Sequence, residues 1–577
     1  MRERQVMNRN PKMITVLLAI LLILLALLIC FASVPSSMWV ASSDESGIPA
    51  RIDVFKARSG GNRFFSTYTY QLYLPGDAVT ENCFLSWNGL ASATVNGVRY
   101  TNGKCPIPAR GTETVYSFKL GWLPLSTYTL VTYQGSAELP CVFIEIDEHL
   151  GTIGSMDNDP DHNTTCSGRI NIDGIWYTLS KMKGRGNVSW SSSKDKKPYN
   201  ITLDKKICFP GIDSKKTEKW SLLAEVNDHS LLSNRVGFHL AYELNIGQDT
   251  TSSDVWMNGE YQGCYTVTPK MDSFVPKNGF LIEQDNHLEP SVEDGGNPQF
   301  LLDGLKEDDQ KPAYNRITVK KMGGDLLRKY GSGDMSIENK KAAADAIRVW
   351  LQDAWDAIRS DNGYNSKGLH YSDYIDVESF ARMYLVHEYV KNYDVCAGSI
   401  FFHRDGQSNS DKLIAGPIWD LDNAMGATCQ SKDIGAADDR ITGDRRSGAG
   451  EFISLVGGNK TSILKTLSKH EDFMEEVYRQ YNNYRCVFED LPVTVDQMAG
   501  EIAESAKMNH YKVDDIEGKY KNLHKYFEKT KLGTDRYQQV YLATTDSRTD
   551  WANYTENLRT YVRTRSLWFS DHYTADD

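Results

Sequence analysis

The 577-residue sequence lacks several features that define common protein classes. No Cys-x-x-Cys pair and no paired Cys and His spacing occurs, which argues against a structural zinc module. There is no excess of basic residues either, because the formal net charge is -12 and the pI is about 5.6. This acidic balance argues against general nucleic-acid binding through phosphates. No internal repeat or low-complexity tract is evident. With 40% hydrophobic and 24% charged residues, the composition is that of an ordinary globular protein without a large disordered block.

Cysteine is present in a number that excludes complete pairing. Ten Cys occur, of which Cys30 lies in an apolar N-terminal run, and the remaining nine are an odd set. Cys83 and Cys105 flank a predicted hairpin and are the best candidates for a disulfide. Cys396 and Cys429 form a second candidate pair.

Charged residues are absent between Ile14 and Val34. This run of about 20 residues is long enough to span a bilayer. Basic residues before it predict a cytoplasmic N terminus and an exported remainder; they are Arg2, Arg4, Arg9 and Lys12. Because no clean Ala-x-Ala site follows, the sequence favours an uncleaved signal anchor in the cell membrane. A cleaved signal peptide and a secreted chain are the alternative.

The pattern of apolar residues divides the chain into four regions and predicts an α+β fold. Residues 1–40 are a cytoplasmic stub and transmembrane helix, and residues 45–143 are a small all-β, sandwich-like module. Residues 144–440 mix strands and helices, and residues 441–577 are mainly helical. Two Asn-Gly hairpin turns are predicted at 96–97 and 258–259. The other elements used below are helices at 230–244, 340–358, 377–389, 462–482, 495–508 and 550–570, and strands at 399–403 and 413–419.

Two acidic residues, Asp420 and Asp422, follow the last of these strands. Residues two apart in an extended chain share a face, and neighbouring carboxylates repel unless a cation joins them. Mg²⁺ carrying the phosphates of a nucleotide is the natural partner. The alternative is a turn-capping Asp beside a solvated Asp.

Upstream residues add to this pattern. Asp394 follows the helix at 377–389 and precedes a pair of strands that ends at Asp420, which is how protein kinases place a catalytic base and a metal ligand. The alternative is that Asp394 is a structural residue at a helix end. His403-Arg404-Asp405 matches a kinase triplet, but the flanking strands predict a hairpin turn there.

A basic segment lies further upstream and contains Lys183-Gly184-Arg185-Gly186, Lys196 and Lys197. It would let the backbone and a lysine approach a phosphate, although a surface hairpin would have the same composition.

Taken in order, these stretches resemble the CotH kinase family, the spore coat protein H group of atypical secreted protein kinases. Three stretches between about 180 and 426 support the resemblance. They are Arg185-Gly186-Asn187-x-x-Trp190 with Lys196-Lys197-Pro198-Tyr199; Trp220-Ser221-Leu222-Leu223-Ala224, Asn227-Asp228-x-Ser230-Leu231-Leu232-x-Asn234 and Asn258-Gly259-Glu260-Tyr261-x-Gly263-x-Tyr265; and Glu388-x-x-x-Asn392-x-Asp394 with Lys412-Leu413-x-x-Gly416-Pro417-x-Trp419-Asp420-x-Asp422.

The resemblance implies a two-lobed, kinase-like catalytic domain that uses ATP with Mg²⁺, or Mn²⁺ as an alternative. By motif, Asp394 corresponds to the catalytic Asp and Asp420 to the metal ligand, with Asp422 in support. The residue assigned to the phosphates is Lys197, with Lys196 and Arg185 as alternatives.

The chain departs from the kinase pattern at two positions. Ser399 stands where the kinase loop has Asn, and we expect its hydroxyl to be a metal ligand. Pro269 occupies the region in which the family often has Glu, so the acidic partner of the phosphate lysine is open, with Glu260 and Glu283 as candidates.

The sequence therefore predicts a membrane-anchored, extracytoplasmic protein kinase. It would transfer the γ-phosphoryl group of ATP to Ser or Thr of an exported or cell-surface protein, without binding nucleic acid. The alternative is a catalytically weak or inactive surface protein of the same fold that acts in adhesion or binding.

Overall fold

The computed structural model of the protein describes residues 11–61, 66–186, 189–190, 196–226, 228–275, 278–285, 288–305, 316–330, 336–392, 398–406, 411–422, 424–425, 462–512 and 551–574. The protein contains both strands and helices in a mixed α+β arrangement, as the sequence predicts. Two compact units are present. The first comprises Met1–Glu138, Phe143–Glu145 and Trp256–Tyr261, and the second comprises Leu139–Val142, Ile146–Val255 and Gln262–Asp577.

Up to residue 138, the described part of the first unit contains an α-helix followed by short strands that form two sheets. The sheet orders are β2-β1-β5-β8 and β3-β4-β10-β9-β6-β7. The predicted Asn96-Gly97 hairpin is confirmed between β6 and β7, with positive φ at both turn residues. The elements are α1 Pro11–Ser33, β1 Met38–Val40, β2 Ile52–Asp53, β3 Phe55–Gly61, β4 Ser66–Leu74, β5 Phe84–Trp87, β6 Ser92–Val95, β7 Val98–Tyr100, β8 Cys105–Pro106, β9 Glu113–Leu120 and β10 Leu123–Gln134.

Within the described ranges, none of the helices qualifies by length and hydropathy as a candidate membrane span.

The predicted disulfide between Cys83 and Cys105 is wrong. Both residues are buried free thiols. Leu85, and not Cys83, lies opposite Cys105 in the pairing of β5 with β8, so the two sulfur atoms are not on facing positions. Burial raises the pKa of the Cys105 thiol to about 12. Residues 396 and 429 of the second predicted pair lie outside the described residues.

Seven strands form a closed barrel in the order β11-β12-β13-β14-β15-β17-β16. The predicted turn at Asn258-Gly259 joins β16 to β17. A second sheet, ordered β19-β20-β18-β21-β22, belongs wholly to the second unit. The strands are β11 Cys141–Ile146, β12 Thr165–Ile172, β13 Ile175–Gly184, β14 Tyr199–Phe209, β15 Ile212–Leu223, β16 Thr251–Met257, β17 Glu260–Pro269, β18 Phe280–Asp285, β19 Gln299–Phe300, β20 Arg316–Met322, β21 Ile400–Arg404 and β22 Ile414–Ala415.

The strand predicted at 413–419 is much shorter than expected. Only Ile414 and Ala415 pair with β21. Gly416 then adopts a φ of 109°, and Pro417 has no N–H to donate to a ladder. The residues after β22 are therefore free to turn toward the helices of this unit.

The second unit contains the remaining helices, and the predicted helix at 462–482 is divided in two. Asp376 accepts a hydrogen bond from the Ser379 amide at 2.8 Å and so fixes the start of the central helix α6. The helices are α2 Ile153–Asp157, α3 Ser233–Glu243, α4 Gly324–Tyr330, α5 Ile337–Ile358, α6 Val377–Val390, α7 Ile463–Leu467, α8 Glu471–Asn483, α9 Arg485–Lys512 and α10 Trp551–Tyr573.

A buried ion pair fastens the last turn of α6 to α10. Arg565 and Glu388 are 2.6 Å apart, and their side chains are 0% and 1% exposed. Arg565 also donates to the backbone carbonyl of Glu388 at 2.7 Å. The Tyr561 hydroxyl adds a bond to the carbonyl of Tyr389. The C-terminal helix thus holds the end of α6, from which the chain continues to Asp394.

Breaking this pair should destabilise the protein strongly, because the partner that remains is a buried charge without its counter-ion. We expect Glu388→Gln and Arg565→Met each to lower the free energy of unfolding by about 3–5 kcal/mol. Urea denaturation measures the change. The matched control is Arg485→Met, which removes an exposed pair with Glu489 and should cost under about 1 kcal/mol. Equal losses in the buried and the exposed variants would contradict this account of α6.

Candidate functional site

The segment from Trp419 to Asp422 leaves the edge of the second sheet and is held against α3. The ring of Trp419 stacks on Phe238, with centroids 5.6 Å apart. Asp420 has a φ of 63°, so the segment is not extended as the sequence analysis assumed. The Ser399 hydroxyl donates to Oδ2 of Asp420 at 3.0 Å. Asp422 is buried, and Asp420 is half-buried.

Arg185 lies next to these carboxylates at the end of β13. Its guanidinium carbon is 5.1 Å from the centre of the Trp419 ring. Burial lowers the pKa of Arg185, while Asp420, Asp422 and Glu225 oppose that shift. Arg185 precedes the two predicted metal ligands by more than 200 residues in the chain. The structure therefore brings a distant cation close to both carboxylates.

The two adjacent lysines point to different places, as expected for neighbours in an extended segment. Lys196 is only 2% exposed. Its Nζ donates to the carbonyl oxygen of Cys264 at 2.5 Å and lies 4.7 Å from the centre of the Tyr265 ring. Lys197 instead donates to the carbonyl of Trp190 at 2.8 Å and lies over that indole. Burial lowers the pKa of Lys196 to about 8.

Glu225 is a buried carboxylate whose charge favours the protonated form of Lys196, and it was not among the acids considered from the sequence. Burial and then Asp228 raise the pKa of Glu225 to about 7, while Asn234 and Lys196 oppose the rise. Nδ2 of Asn234 donates to both carboxylate oxygens, at 3.1 and 3.0 Å. The available signal was position, because Glu225 follows directly on the family-like stretch that ends at Ala224.

Glu260 and Glu283, the two predicted candidates for the acidic partner of the lysine, have other environments. Glu260 is exposed at the start of β17. Glu283 pairs with Lys320 at 2.9 Å. Burial raises the pKa of Glu283 to about 7, and Asp420 contributes to that rise. Glu283 is thus near the carboxylates and has a lysine of its own.

Asn234 also contacts the segment that carries the carboxylates. Its Oδ1 accepts a hydrogen bond from the amide of Leu421, between Asp420 and Asp422, at 2.8 Å. On the far side, the amide of Met425 donates to the carbonyl of Val390 at 2.7 Å. The segment is therefore tied both to α3 and to the end of α6.

The predicted catalytic Asp394 lies outside the described residues, although the helix end before it is well defined. Asn392 is fully buried, and its Nδ2 lies 3.3 Å from Nδ1 of His387. Burial lowers the pKa of His387 to about 3, so this imidazole is neutral. His403 and Arg404 belong to β21, in agreement with the predicted hairpin.

The residues present fit a nucleotide with a divalent ion. Among the described residues, no group of three or more His, Cys, Asp or Glu side chains is arranged to hold a metal. Mg²⁺ does not require such a cage, because it is usually bound by one or two carboxylates together with phosphates and waters. Asp420 and Asp422 would supply those hard oxygen ligands, and Lys196 and Arg185 would supply cations for phosphate.

Comparison with known proteins gives one family. The family model described as CotH kinase protein matches residues 182–569. The crystal structure of a Helicobacter pylori proinflammatory kinase, CtkA, aligns with 64% of this chain and 95% of that chain, at 10% identity and a TM-score of 0.20. At that TM-score the likeness carries no argument. No curated protein matches the chain.

The raised pKa of Glu225 predicts a specific pH dependence of stability. An acid whose pKa rises on folding contributes stability that is complete below about pH 4.5 and is lost as the pH rises through about 7. Relative to Glu225→Gln, the wild-type free energy of unfolding should therefore fall by about 3 kcal/mol across that interval. Urea denaturation at several pH values measures it. A difference between the two proteins that does not change with pH would contradict the burial of an ionisable Glu225.

Proposed function

Because this chain belongs to the CotH kinase family, we propose that it is an atypical protein kinase that transfers the γ-phosphoryl group of ATP to Ser or Thr of exported or cell-surface proteins. The observation that supports this most directly is that the second unit contains two sets of opposite charges. The charge of Glu225 favours the protonated form of Lys196, and the charges of Asp420 and Asp422 favour that of Arg185, which lies over Trp419. A cation for phosphate and two carboxylates for a metal are the parts that phosphoryl transfer requires.

Each residue then has a role in positioning the reactants. Bound ATP, with Mg²⁺ or Mn²⁺, supplies the phosphoryl group and the metal that neutralises part of its charge. Asp420 would hold the ion, with Asp422 in support, and Arg185 offsets the repulsion between these carboxylates. The Ser399 hydroxyl orients Asp420 through its bond to Oδ2 and stays a proposed metal ligand. Asp394 would accept the proton of the acceptor hydroxyl.

Lys196 is a better choice for the phosphate contact than Lys197. Lys196 is a buried ammonium that the charge of Glu225 stabilises, which is the role that the glutamate has toward the lysine in a kinase. Glu225 would be the acidic partner of this lysine, which the sequence did not identify because Pro269 occupies the region where the family often has Glu. Lys197 is engaged with Trp190 instead.

The proposal extends to architecture and location. The barrel of β11–β17 would be one lobe of the kinase, and the second sheet with its helices would be the other. The apolar run from Ile14 to Val34 supports a single membrane anchor with the rest of the chain outside the cytoplasm. The β-rich first unit would act as a spacer or binding module.

A second candidate is an inactive or weakly active relative that acts in adhesion or binding. One observation favours it: the hydroxyl of Ser399, which replaces the Asn of a kinase loop, is bonded to Asp420. Hydroxyl and carboxylate would then satisfy each other instead of jointly holding an ion.

Transfer of labelled phosphate separates the two candidates. We expect the purified protein, with ATP and Mg²⁺ or Mn²⁺, to phosphorylate itself or candidate exported proteins. Asp394→Asn should reduce the rate by at least about 100-fold, because it removes the base. Equal incorporation by the wild type and Asp394→Asn, or none by either, would contradict the kinase proposal.

Calorimetric titration with a non-hydrolysable ATP analogue and Mn²⁺ tests the choice between the lysines. Lys196→Met should weaken binding by about 10-fold or more, since it removes a charge-assisted contact with phosphate. Lys197→Met is the matched control and should change binding by less than about 3-fold. The opposite order of effects would return the phosphate contact to Lys197.

A further inference from the structure

Asn234, in the first turn of α3, is bonded at both ends of its side chain. The amide nitrogen donates to the two oxygens of Glu225 at 3.1 and 3.0 Å. The amide oxygen accepts from the backbone N–H of Leu421 at 2.8 Å. The side chain is buried, and so are both of its partners.

The chemistry of the two partners fixes which end of the amide faces which group. A carboxylate accepts hydrogen bonds, so it needs the nitrogen of Asn234, and the N–H of Leu421 needs the oxygen. An Asp at this position could still accept from Leu421 but would repel Glu225. A Leu of similar size could do neither. Asn234 therefore matches both partners at once.

The bond to Leu421 governs the placement of both predicted metal ligands. Leu421 lies between Asp420 and Asp422, and its side chain packs on α3. A Cβ at Gly237 would lie 2.1 Å from Cδ1 of Leu421, so the helix approaches the segment closely only because this residue is Gly. Asp420 has a left-handed backbone, which costs of order 1 kcal/mol and persists only when the surroundings hold it.

The bond to Glu225 governs the other half of the site. Glu225 also has a left-handed backbone, with a φ of 53°. Two hydrogen bonds to its oxygens favour the charged carboxylate, which is the form that attracts the ammonium of Lys196. Removal of Asn234 would take two hydrogen bonds from this carboxylate and one from the 420–422 segment at the same time.

We propose that Asn234 is a positioning residue that joins the phosphate lysine, through Glu225, to the metal-binding segment, so that nucleotide and metal bind as one coupled unit. The inference rests on the proposed function. It adds a residue that touches neither nucleotide nor metal.

The expected effect is a loss of coupling between metal and nucleotide. In the wild type, Mn²⁺ should strengthen binding of a non-hydrolysable ATP analogue by about 10-fold or more. In Asn234→Leu that factor should fall to about 2 or less, because the two halves are no longer held together. Calorimetric titrations with and without Mn²⁺ measure both factors on the full chain.

Asn234→Asp gives a readout that a general loss of stability would not produce. This variant keeps the acceptor for Leu421 but places a second carboxylate beside Glu225. Like charges raise the pKa of Glu225, so the acid limb of the pH profile for analogue binding should move up by about one pH unit or more. Ser233→Ala, a buried change at the neighbouring position of α3, is the matched control and should retain the wild-type coupling and pH profile.

The outcomes separate this inference from the proposed function. If the wild type binds no nucleotide, both are overturned. If the wild type binds with metal coupling and Asn234→Leu keeps the same factor, the inference alone is overturned. The same holds if Asn234→Asp shows the wild-type pH profile. Loss of coupling in Asn234→Leu, with a shifted profile in Asn234→Asp and neither change in Ser233→Ala, supports it.

Discussion

The burial of the Lys196 ammonium is the constraint on which the rest of the site depends. A charge removed from water is costly unless it is paired and hydrogen-bonded. The surroundings of Lys196 supply a carbonyl oxygen, an aromatic face and the carboxylate of Glu225. Gly263 gives the lysine its space, since a Cβ there would lie 2.7 Å from Cε of Lys196. Glu225 in turn needs Asn234, and Asn234 reaches the segment that carries Asp420 and Asp422.

Helices from distant parts of the chain complete this arrangement. The side-chain oxygen of Asn509 in α9 accepts from the amide of Cys264, whose carbonyl binds Lys196. Arg565 in α10 holds the last turn of α6 through Glu388. The helical C-terminal residues therefore support the site at two points, and within the second unit they are part of the same structure and not a separate appendage.

Local chemistry made several features predictable from the sequence. Two Asn-Gly turns and the central helix have strong short-range signals, and both turns and the helix from Val377 are present. The acidic pair at 420 and 422 and the basic residue Arg185 do lie together. Predicting that these residues lie together required the family resemblance, because no local sequence pattern joins residues so far apart.

Other features depend on three-dimensional context that the sequence does not display. Alternation along a strand shows that Lys196 and Lys197 point to opposite sides, but not which side is buried. Glu225 was missed because its role depends on a left-handed backbone at a strand end. The segment after Ala415 was expected to be extended, yet Gly416 and Pro417 end the strand. Cys83 and Cys105 flank a real hairpin without facing each other.

The central claim is that Asp420 and Asp422 hold a divalent ion on the phosphates of a nucleotide. Electron paramagnetic resonance of Mn²⁺, titrated into the protein with and without ATP, tests it most directly. The account predicts a bound Mn²⁺ signal that is strong only when ATP is present and that is lost in Asp420→Ala. A bound signal of the same strength in Asp420→Ala, or no bound signal in the wild type with ATP, would contradict it.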